Sequence, residues 1–380
     1  MVKKKIIRVT TVPMSLNGFC EGMLKELSEF YEVVAISSPG EDLELVSERE
    51  GVRAIAVPME RHISIWKDIK SLVQMTMILS KENPYMVHSM TPKAGLVSMV
   101  ASKLAGVPVR VHTFTGLIWP TSTGLKRTIL KMTDRLTCAC ATHIIPEGQG
   151  VKNDLINGRI TKKPMKVLGF GNVRGVDMAF YSLRPEVIEA AKAIRDDDKF
   201  TFVFVGRIVR DKGINELVAA FKQLIVKHPE SRLILVGPYE DDLDPVASET
   251  RVAIDTMDGI EAVGPKFGES LLPYYAASDC FVFPSYREGF PNTVLEAGAL
   301  GLASIVTDIN GSREIIEDGV NGIIVSPQNE DALYEAMLKM VEDTETREKM
   351  AGIARKMIYD RFERGFVWKC LFDYYDEIMR

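Results

Sequence analysis

Phe200-Thr-Phe-Val-Phe-Val-Gly-Arg-Ile-Val-Arg-Asp-Lys-Gly213 opens as an almost continuous apolar run and ends in a glycine-flanked basic loop. A run apolar on both faces fits a strand of a parallel sheet covered by helices on both sides. Five further runs follow it: Arg232–Val236, Ile260–Val263, Cys280–Pro284, Ala303–Thr307 and Gly322–Val325. Upstream, the same alternation of β-rich runs and helical periods has already occurred once. There the runs are Ile6–Val12, Glu32–Ser37, Val52–Val57, Tyr85–Ser89, Val109–Phe114 and His143–Pro146, with amphipathic stretches such as Ile65–Ser80 and Leu125–Cys140 between them. The chain thus starts a parallel α/β sheet twice.

A length of 380 residues suits two domains rather than one core. The turn-rich segment Gly169-Phe-Gly-Asn-Val-Arg-Gly-Val-Asp177, with the charged helix Pro185–Asp198 behind it, marks the boundary. Gly169 and Gly171 give G-x-G, but a dinucleotide fingerprint sits between a first strand and a first helix. Here it follows a late strand and reads as a linker turn. The first strand–helix turn, residues 13–18, lacks the three-glycine pattern, which disfavours a nicotinamide enzyme. Near the end, Phe366, Cys370, Tyr374 and Ile378 recur at four-residue spacing beside Val367, Leu371 and Tyr375. Such a stripe needs a cover, either on the first domain or within the second. The expected division is residues 1–172, residues 173–358, and a final helix over 359–380 returning to the first domain.

The 47 basic and 52 acidic residues leave a net charge of −5, which argues against a nucleic-acid-coating protein. The five cysteines are scattered, and the Cys138–Cys140 pair has no second pair or histidine cluster to complete a zinc site. They read as reduced thiols. His62, His143 and His228 show no ligand spacing. The apolar run after the basic Met1–Lys5 is broken by Arg8 and Pro13, too short for a secretory signal. No stretch approaches the roughly 20 apolar residues of a membrane helix. A cytoplasmic chain, attached to a membrane only at its surface, is expected.

Pro284-Ser-Tyr-Arg-Glu-Gly-Phe-Pro-Asn-Thr-Val-Leu-Glu296 is the most specific stretch. A buried strand ends at Pro284, a loop carries Glu288 and Gly289, and Pro291 is expected to set the first helical residue. The N–H groups of Asn292, Thr293 and Val294 would then suit a phosphate. Glu288 suits sugar hydroxyls, and Glu296, a turn into the helix, suits the diol of a ribose. A capped helix with two acids near its positive end explains one glutamate but not the whole arrangement. In the opening stretch, Arg207 offers a planar fork to phosphate oxygens and Lys212 a point charge. Gly206 and Gly213 let the backbone come close. Two basic residues after a strand are weak alone, but a leaving diphosphate develops charge that such a pair stabilises.

Arg207 with Lys212, and Glu288 with Glu296, resemble the donor site of the family-four retaining glycosyltransferases. Gly264 after a strand, Asn310-Gly311 with Glu314, Asn321-Gly322, and in the first half His88–Gly95 and Val111–Leu117 extend the likeness over nearly the whole chain. Leu168–Asp177 points to bacterial members that extend lipid-linked sugars for capsule, O-antigen or glycoprotein glycans. The resemblance implies a GT-B fold: two Rossmann-like domains with parallel sheets facing across a cleft. It implies that Arg207 and Lys212 neutralise the donor diphosphate, Glu288 holds the sugar and Glu296 the ribose. The Gly206 loop and the Gly289–Val294 segment with Phe290 would complete the donor site. Asn17 and Gly18 would approach the phosphates from the first domain, and Gly264 and Lys266 would flank a base, most commonly uracil. A UDP-sugar donor, no cofactor and no metal, a hexose or N-acetylhexosamine as cargo, and a lipid-linked saccharide acceptor follow from the likeness.

Thr115 departs from the pattern, because many relatives carry His or Glu there and assign it an acceptor-side catalytic role. A hydroxyl is no base near neutral pH, so Thr115 and the nearby His112 are candidates to position the acceptor. Thr115 also keeps open an idle sugar-nucleotide sensor or scaffold. An epimerase or a phosphorylase on the same fold competes too, though no lysine is singled out for a phosphorylase cofactor. Finally, Arg127, Lys131 and Arg135 recur every four residues, a basic stripe suited to an anionic membrane surface. Leu125, Ile129, Met132 and Leu136, opposite it, are expected to face the core.

Overall fold

The computed structural model describes residues 3–60 and 64–380, so His62 lies outside the described residues. Its strands are β1 (Lys5–Val9), β2 (Glu32–Ser37), β3 (Arg53–Ala56), β4 (Met86–Met90), β5 (Val109–Phe114) and β6 (His143–Pro146), then β7 (Phe200–Val205), β8 (Ser231–Val236), β9 (Ile260–Gly264), β10 (Cys280–Phe283), β11 (Ala303–Thr307) and β12 (Gly322–Val325). All pair in parallel, as two six-stranded sheets of order β3-β2-β1-β4-β5-β6 and β12-β11-β10-β7-β8-β9. In each sheet the direction of strand addition reverses once, between β1 and β4 and between β7 and β10. Crevices at the carboxyl ends of such reversal points are where open α/β sheets bind ligands.

Residues up to Gly175, with Gly365–Arg380, form one compact unit, and Val176–Arg364 form the other. The chain leaves the first unit through an Asx turn: Asn172, at φ +63°, accepts the N–H groups of Arg174 (3.0 Å) and Gly175 (2.6 Å) on its side chain. The final crossing falls at Gly365, not at residue 359. The helix Thr344–Phe362 runs on because Ile358 and Phe362 belong to the second core, Phe362 lying edge-on to Phe290 at 5.4 Å. The last helix, Arg364–Ile378, buries Val367, Leu371, Tyr374 and Tyr375 in the first unit's core with Leu16, Met23 and Leu24. Phe366, expected in that stripe, is exposed. The Tyr375 hydroxyl accepts from the Arg8 guanidinium (2.5 Å) and lies 2.5 Å from His88 Nδ1, both buried.

Three local readings are corrected. Pro13 opens a helix, Pro13–Cys20, so Asn17 and Gly18 are helical rather than in a loop; proline fits the first helical turn because its missing N–H is not needed there. The helix from Pro185 ends at Ala191 and gives way to turns before Asp196-Asp197-Asp198, residues of low helix propensity. Most consequentially, on the helix Gly124–Cys140 the apolar side expected in the core faces outward. Leu125 is 75%, Met132 60% and Leu136 48% exposed, and Ile129 is half-buried. Thr137 and Cys138 are buried instead, with Leu130 against the same core. Among the described residues no helix is long and apolar enough to cross a membrane. The cysteines are free, four buried and Cys370 half-buried.

Candidate active site

In the second unit, the loops after β7 and β10 meet at the reversal point. Gly213 (φ +72°) begins the helix Ile214–Lys227, and a Cβ there would run into the carbonyl oxygen of Pro284 at the end of β10. The loops are stitched by Tyr286 N–H donating to Asp211 O (2.9 Å), Ser285 Oγ donating to the same oxygen (3.3 Å), and an Arg287–Asp211 ion pair (2.8 Å). This brings Lys212 into an ion pair with Glu288, with both side chains largely buried. Ser285 Oγ lies 3.0 Å from Glu288 Oε1, and Phe283 lies under the Lys212 ammonium at 5.3 Å. Arg207 is more open and pairs with Glu240 in the loop after β8. Both candidate cations of this loop are thus paired with carboxylates of the protein, Lys212 with Glu288 and Arg207 with Glu240.

The helix behind this loop is Asn292–Ala299, and Pro291 is its N-cap in extended conformation rather than its first residue. Of the three N–H groups expected to be available, that of Val294 donates to Pro291 O (3.2 Å). Residues 289–291 rest on the Asn310–Gly311 turn: at Gly311 (φ +75°) a Cβ would lie 2.6 Å from both Gly289 O and Pro291 Cδ. Phe290 points into the core, so only its main chain borders the loop. Glu296 is buried, and its carboxylate accepts hydrogen bonds from Tyr181 (2.8 Å) and Tyr275 (3.2 Å). Gly264 (φ +72°) ends β9, with Lys266 beyond it near the Tyr274 ring (5.8 Å). Gly264 O accepts from Gly237 N–H (3.0 Å), and Gly237 in turn packs against the main chain of Gly206.

In the first unit, the reversal point is lined by hydroxyls. Thr91, at the unusual φ of +72° for a β-branched residue, bonds Thr11 Oγ1 at 2.8 Å. The nearby cation, Lys93, is neutralised by Asp68 (2.5 Å). Asn17 is bound to Asp42 and Arg49, while Gly18 has open space at its Cβ position. Thr115 and His112 line one small pocket of about 20 Å³ together with Thr91, Trp119 and Asp134, room for roughly one water. His112 is buried, its Nδ1 2.8 Å from Ser89 Oγ, and its ring fills the space that a side chain at Gly95 would need. Burial pushes its pKa down to about 3, offset only slightly by the Ser89 contact, so the ring is neutral. Asp134, which the sequence reading passed over, is pushed up to about 7 by burial, with the Trp119 indole pulling the other way without closing a well-formed hydrogen bond. Its signal was present: it is the one acid on an otherwise basic helix. Glu240, Tyr181 and Tyr275 were also missed. Among the described residues no group of three or more His, Cys, Asp or Glu side chains is placed to hold a metal.

Residues 19–171 match the glycosyl transferase 4-like domain and residues 187–357 the glycosyl transferases group 1. The chain is 30% identical to the capsular polysaccharide biosynthesis glycosyltransferase CapM of Staphylococcus aureus, covering 100% of this chain and 99% of that protein. It is 28% identical to the UDP-Gal:alpha-D-GlcNAc-diphosphoundecaprenol alpha-1,3-galactosyltransferase of Escherichia coli, over 83% of this chain and 81% of that one. Among solved structures, HepE of Anabaena in complex with UDP shares the fold, with a TM-score of 0.81 over 98% of this chain and 100% of that one, at 17% identity. Two parallel six-stranded sheets of this order place the chain in the GT-B fold class. Within that class the chain belongs to the group 1, family-four-like glycosyltransferases.

Proposed function

We propose that the chain is a retaining glycosyltransferase that moves a hexose or N-acetylhexosamine from a UDP-sugar to a hydroxyl of a lipid-linked saccharide, on the inner face of the plasma membrane, in surface polysaccharide assembly. The observation that carries this reading is the Lys212–Glu288 ion pair that joins the loops after β7 and β10, with Arg207 on the first of these loops and Glu296 on the helix that follows the second. Arg207 and Lys212 take the diphosphate, Glu296 the ribose and Glu288 the sugar; the main chain of Gly206, Gly289, Phe290 and Asn292–Val294 lines the loop. Gly264 and Lys266 are assigned to the base. The CapM name supports surface polysaccharide assembly, and the diphosphoundecaprenol galactosyltransferase name supports the lipid-linked acceptor.

In the transfer, the bond from the sugar's anomeric carbon to the phosphate oxygen breaks, and a bond to the acceptor oxygen forms on the same face. The acceptor's proton passes to the departing phosphate oxygen, so no protein base is required. Thr115 positions the acceptor, with the neutral His112 beneath it. No metal or other cofactor enters the scheme, because Arg207 and Lys212 carry the compensating charge.

A thermal-shift screen of nucleotide sugars tests the donor assignment, since a ligand that binds only the folded state raises its melting temperature by mass action. UDP-sugars are expected to stabilise the protein more than GDP- or ADP-sugars. Stabilisation by none of them would overturn the donor site. Stabilisation without transfer to a bacterial lipid fraction would favour the sensor or scaffold.

A further inference from the structure

Two helices of the first unit are apolar on the side turned away from the core. The helix Ile65–Glu82 buries Ser71, Met75 and Leu79. On its opposite side, Trp66 (84% exposed), Ile69, Val73 and Met77 stand in solvent at helical spacing. The helix Gly124–Cys140 does the same with Leu125, Met132 and Leu136. Both pack on the intervening helix Pro92–Leu104, so the three form one layer on the same face of the sheet. A helix apolar all round is ordinarily buried on all sides, and a contiguous exposed apolar patch marks an interaction surface.

Charge says what covers it. The two outer helices carry Lys67, Lys70, Lys81, Lys126, Arg127, Lys131 and Arg135 in a chain of net charge −5. Their acids are Asp68, held by Lys93; Glu82, held by Lys5 and Arg53; and the largely buried Asp134. Arg127 and Lys131 lean over the Trp119 ring at 6.0 and 5.1 Å, and Arg135 Nε donates to Arg159 O (3.2 Å). Lys126, Arg127 and Arg135 are exposed on the same helix as the Leu125–Met132–Leu136 stripe, and Lys67 pairs with the exposed Glu60. An apolar face with a cationic rim is the chemistry of a helix lying in the headgroup–acyl boundary of an anionic bilayer.

We infer that the outer face of this three-helix layer inserts into an anionic lipid surface, with Trp66 and the Leu125–Met132–Leu136 stripe entering the acyl boundary. This deepens the membrane placement in the proposed function, yet it stands on unit 1 alone and needs no donor or acceptor.

The three tryptophans make the test selective. Trp119 and Trp368 are buried and Trp66 is exposed, so an environment change on lipid reports Trp66. With vesicles of phosphatidylglycerol and phosphatidylethanolamine, the emission should shift to the blue, and Trp66→Phe should abolish the shift. Leu125→Gln, Met132→Gln and Leu136→Gln together should lower vesicle partitioning by about tenfold or more, with the thermal melt unchanged. Raised salt should weaken binding but leave a residue that the triple variant lacks. An unshifted Trp66 on vesicles that nevertheless bind the protein, or binding fully abolished by salt, would overturn apolar insertion. So would a concentration-dependent dimer without lipid that quenches Trp66, which would make a second copy the occupant. Transfer to a water-soluble acceptor analogue should be unaffected by these variants; its loss in wild type would indict the enzymatic reading instead.

Discussion

At the reversal point of the second unit, between β7 and β10, the flanking loops carry charge: Lys212 pairs with Glu288, Arg207 with Glu240, and Glu296 lies on the helix behind. At the equivalent point of the first unit, between β1 and β4, Thr11 and Thr91 bond each other, the loop cation Lys93 is paired with Asp68 much as Lys212 is with Glu288, and the histidines of β4 and β5, His88 and His112, are buried with pKa values pushed down by burial. The same sheet plan thus carries two chemistries. A leaving diphosphate needs fixed positive charge, whereas a sugar hydroxyl needs only neutral donors and acceptors. Under the proposed function, this difference is why the donor and the compensating charge are assigned to the second unit and the acceptor to the first.

The largest effect should come from the cations. Lys212→Ala or Arg207→Ala should lower kcat by about 10²–10³, the loss typical of removing one contact to developing transition-state charge, roughly 2.7–4 kcal/mol. The same variants should melt near the wild-type temperature. If both fold and turn over normally, the contrast between the units fails.

The acceptor side should be more tolerant. A positioned general base contributes about 10²–10⁴ in rate, and His112→Gln should cost clearly less. The wild-type pH–rate profile should show no limb near the ordinary histidine value of about 6.5, because burial holds His112 at about 3. A thousandfold loss, with disappearance of such a limb, would make His112 the base.

A smaller effect separates Glu296 from its supports. Tyr181→Phe or Tyr275→Phe removes one hydrogen bond from the buried carboxylate, worth about 1 kcal/mol, so UDP affinity should fall by roughly fivefold or less. Calorimetry should show a larger loss for Glu296→Ala. Equal losses for all three would mean that the tyrosines, not Glu296, meet the nucleotide.

The smallest concerns stability. Asp134 titrates near 7 when folded against 3.8 in the open chain, so its folded pKa is raised. The folded state keeps this contribution below about 3.8 and loses it as pH rises through about 7, because the unfolded carboxyl gives up its proton more readily. Asp134→Asn should therefore gain in melting temperature on the wild type from about pH 4 to 7, then level off. A pH-independent difference would mean that Asp134 ionises normally.

Each of the strands was legible because parallel strands buried on both faces write a local signal, a short apolar run between turns. The charged loops were legible too, since Arg207–Lys212 and Glu288–Glu296 are each local in sequence. What escaped was non-local or ambiguous. Tyr181 reaches Glu296 across 115 residues, and no spacing announces that pairing. On the helix Gly124–Cys140 the period was readable but the core-facing side was not, because Leu130, Thr137 and Cys138 sit inside while Leu125, Met132 and Leu136 do not. Apolar character on two sides defeats the rule that the apolar side is the buried one. Pro13 did carry the signal for an early helix, which a reading of residues 13–18 as a turn overlooked.

The central claim is that the second unit binds the nucleotide through its ribose with Glu296 and engages the sugar with Glu288. Calorimetric titration of UDP into the wild type, Glu296→Ala and Glu288→Ala tests it most directly. Glu296→Ala should lose UDP affinity markedly and Glu288→Ala should keep nearly unchanged affinity, although the latter transfers sugar poorly. Equal losses in both, or undiminished binding in Glu296→Ala, would contradict it.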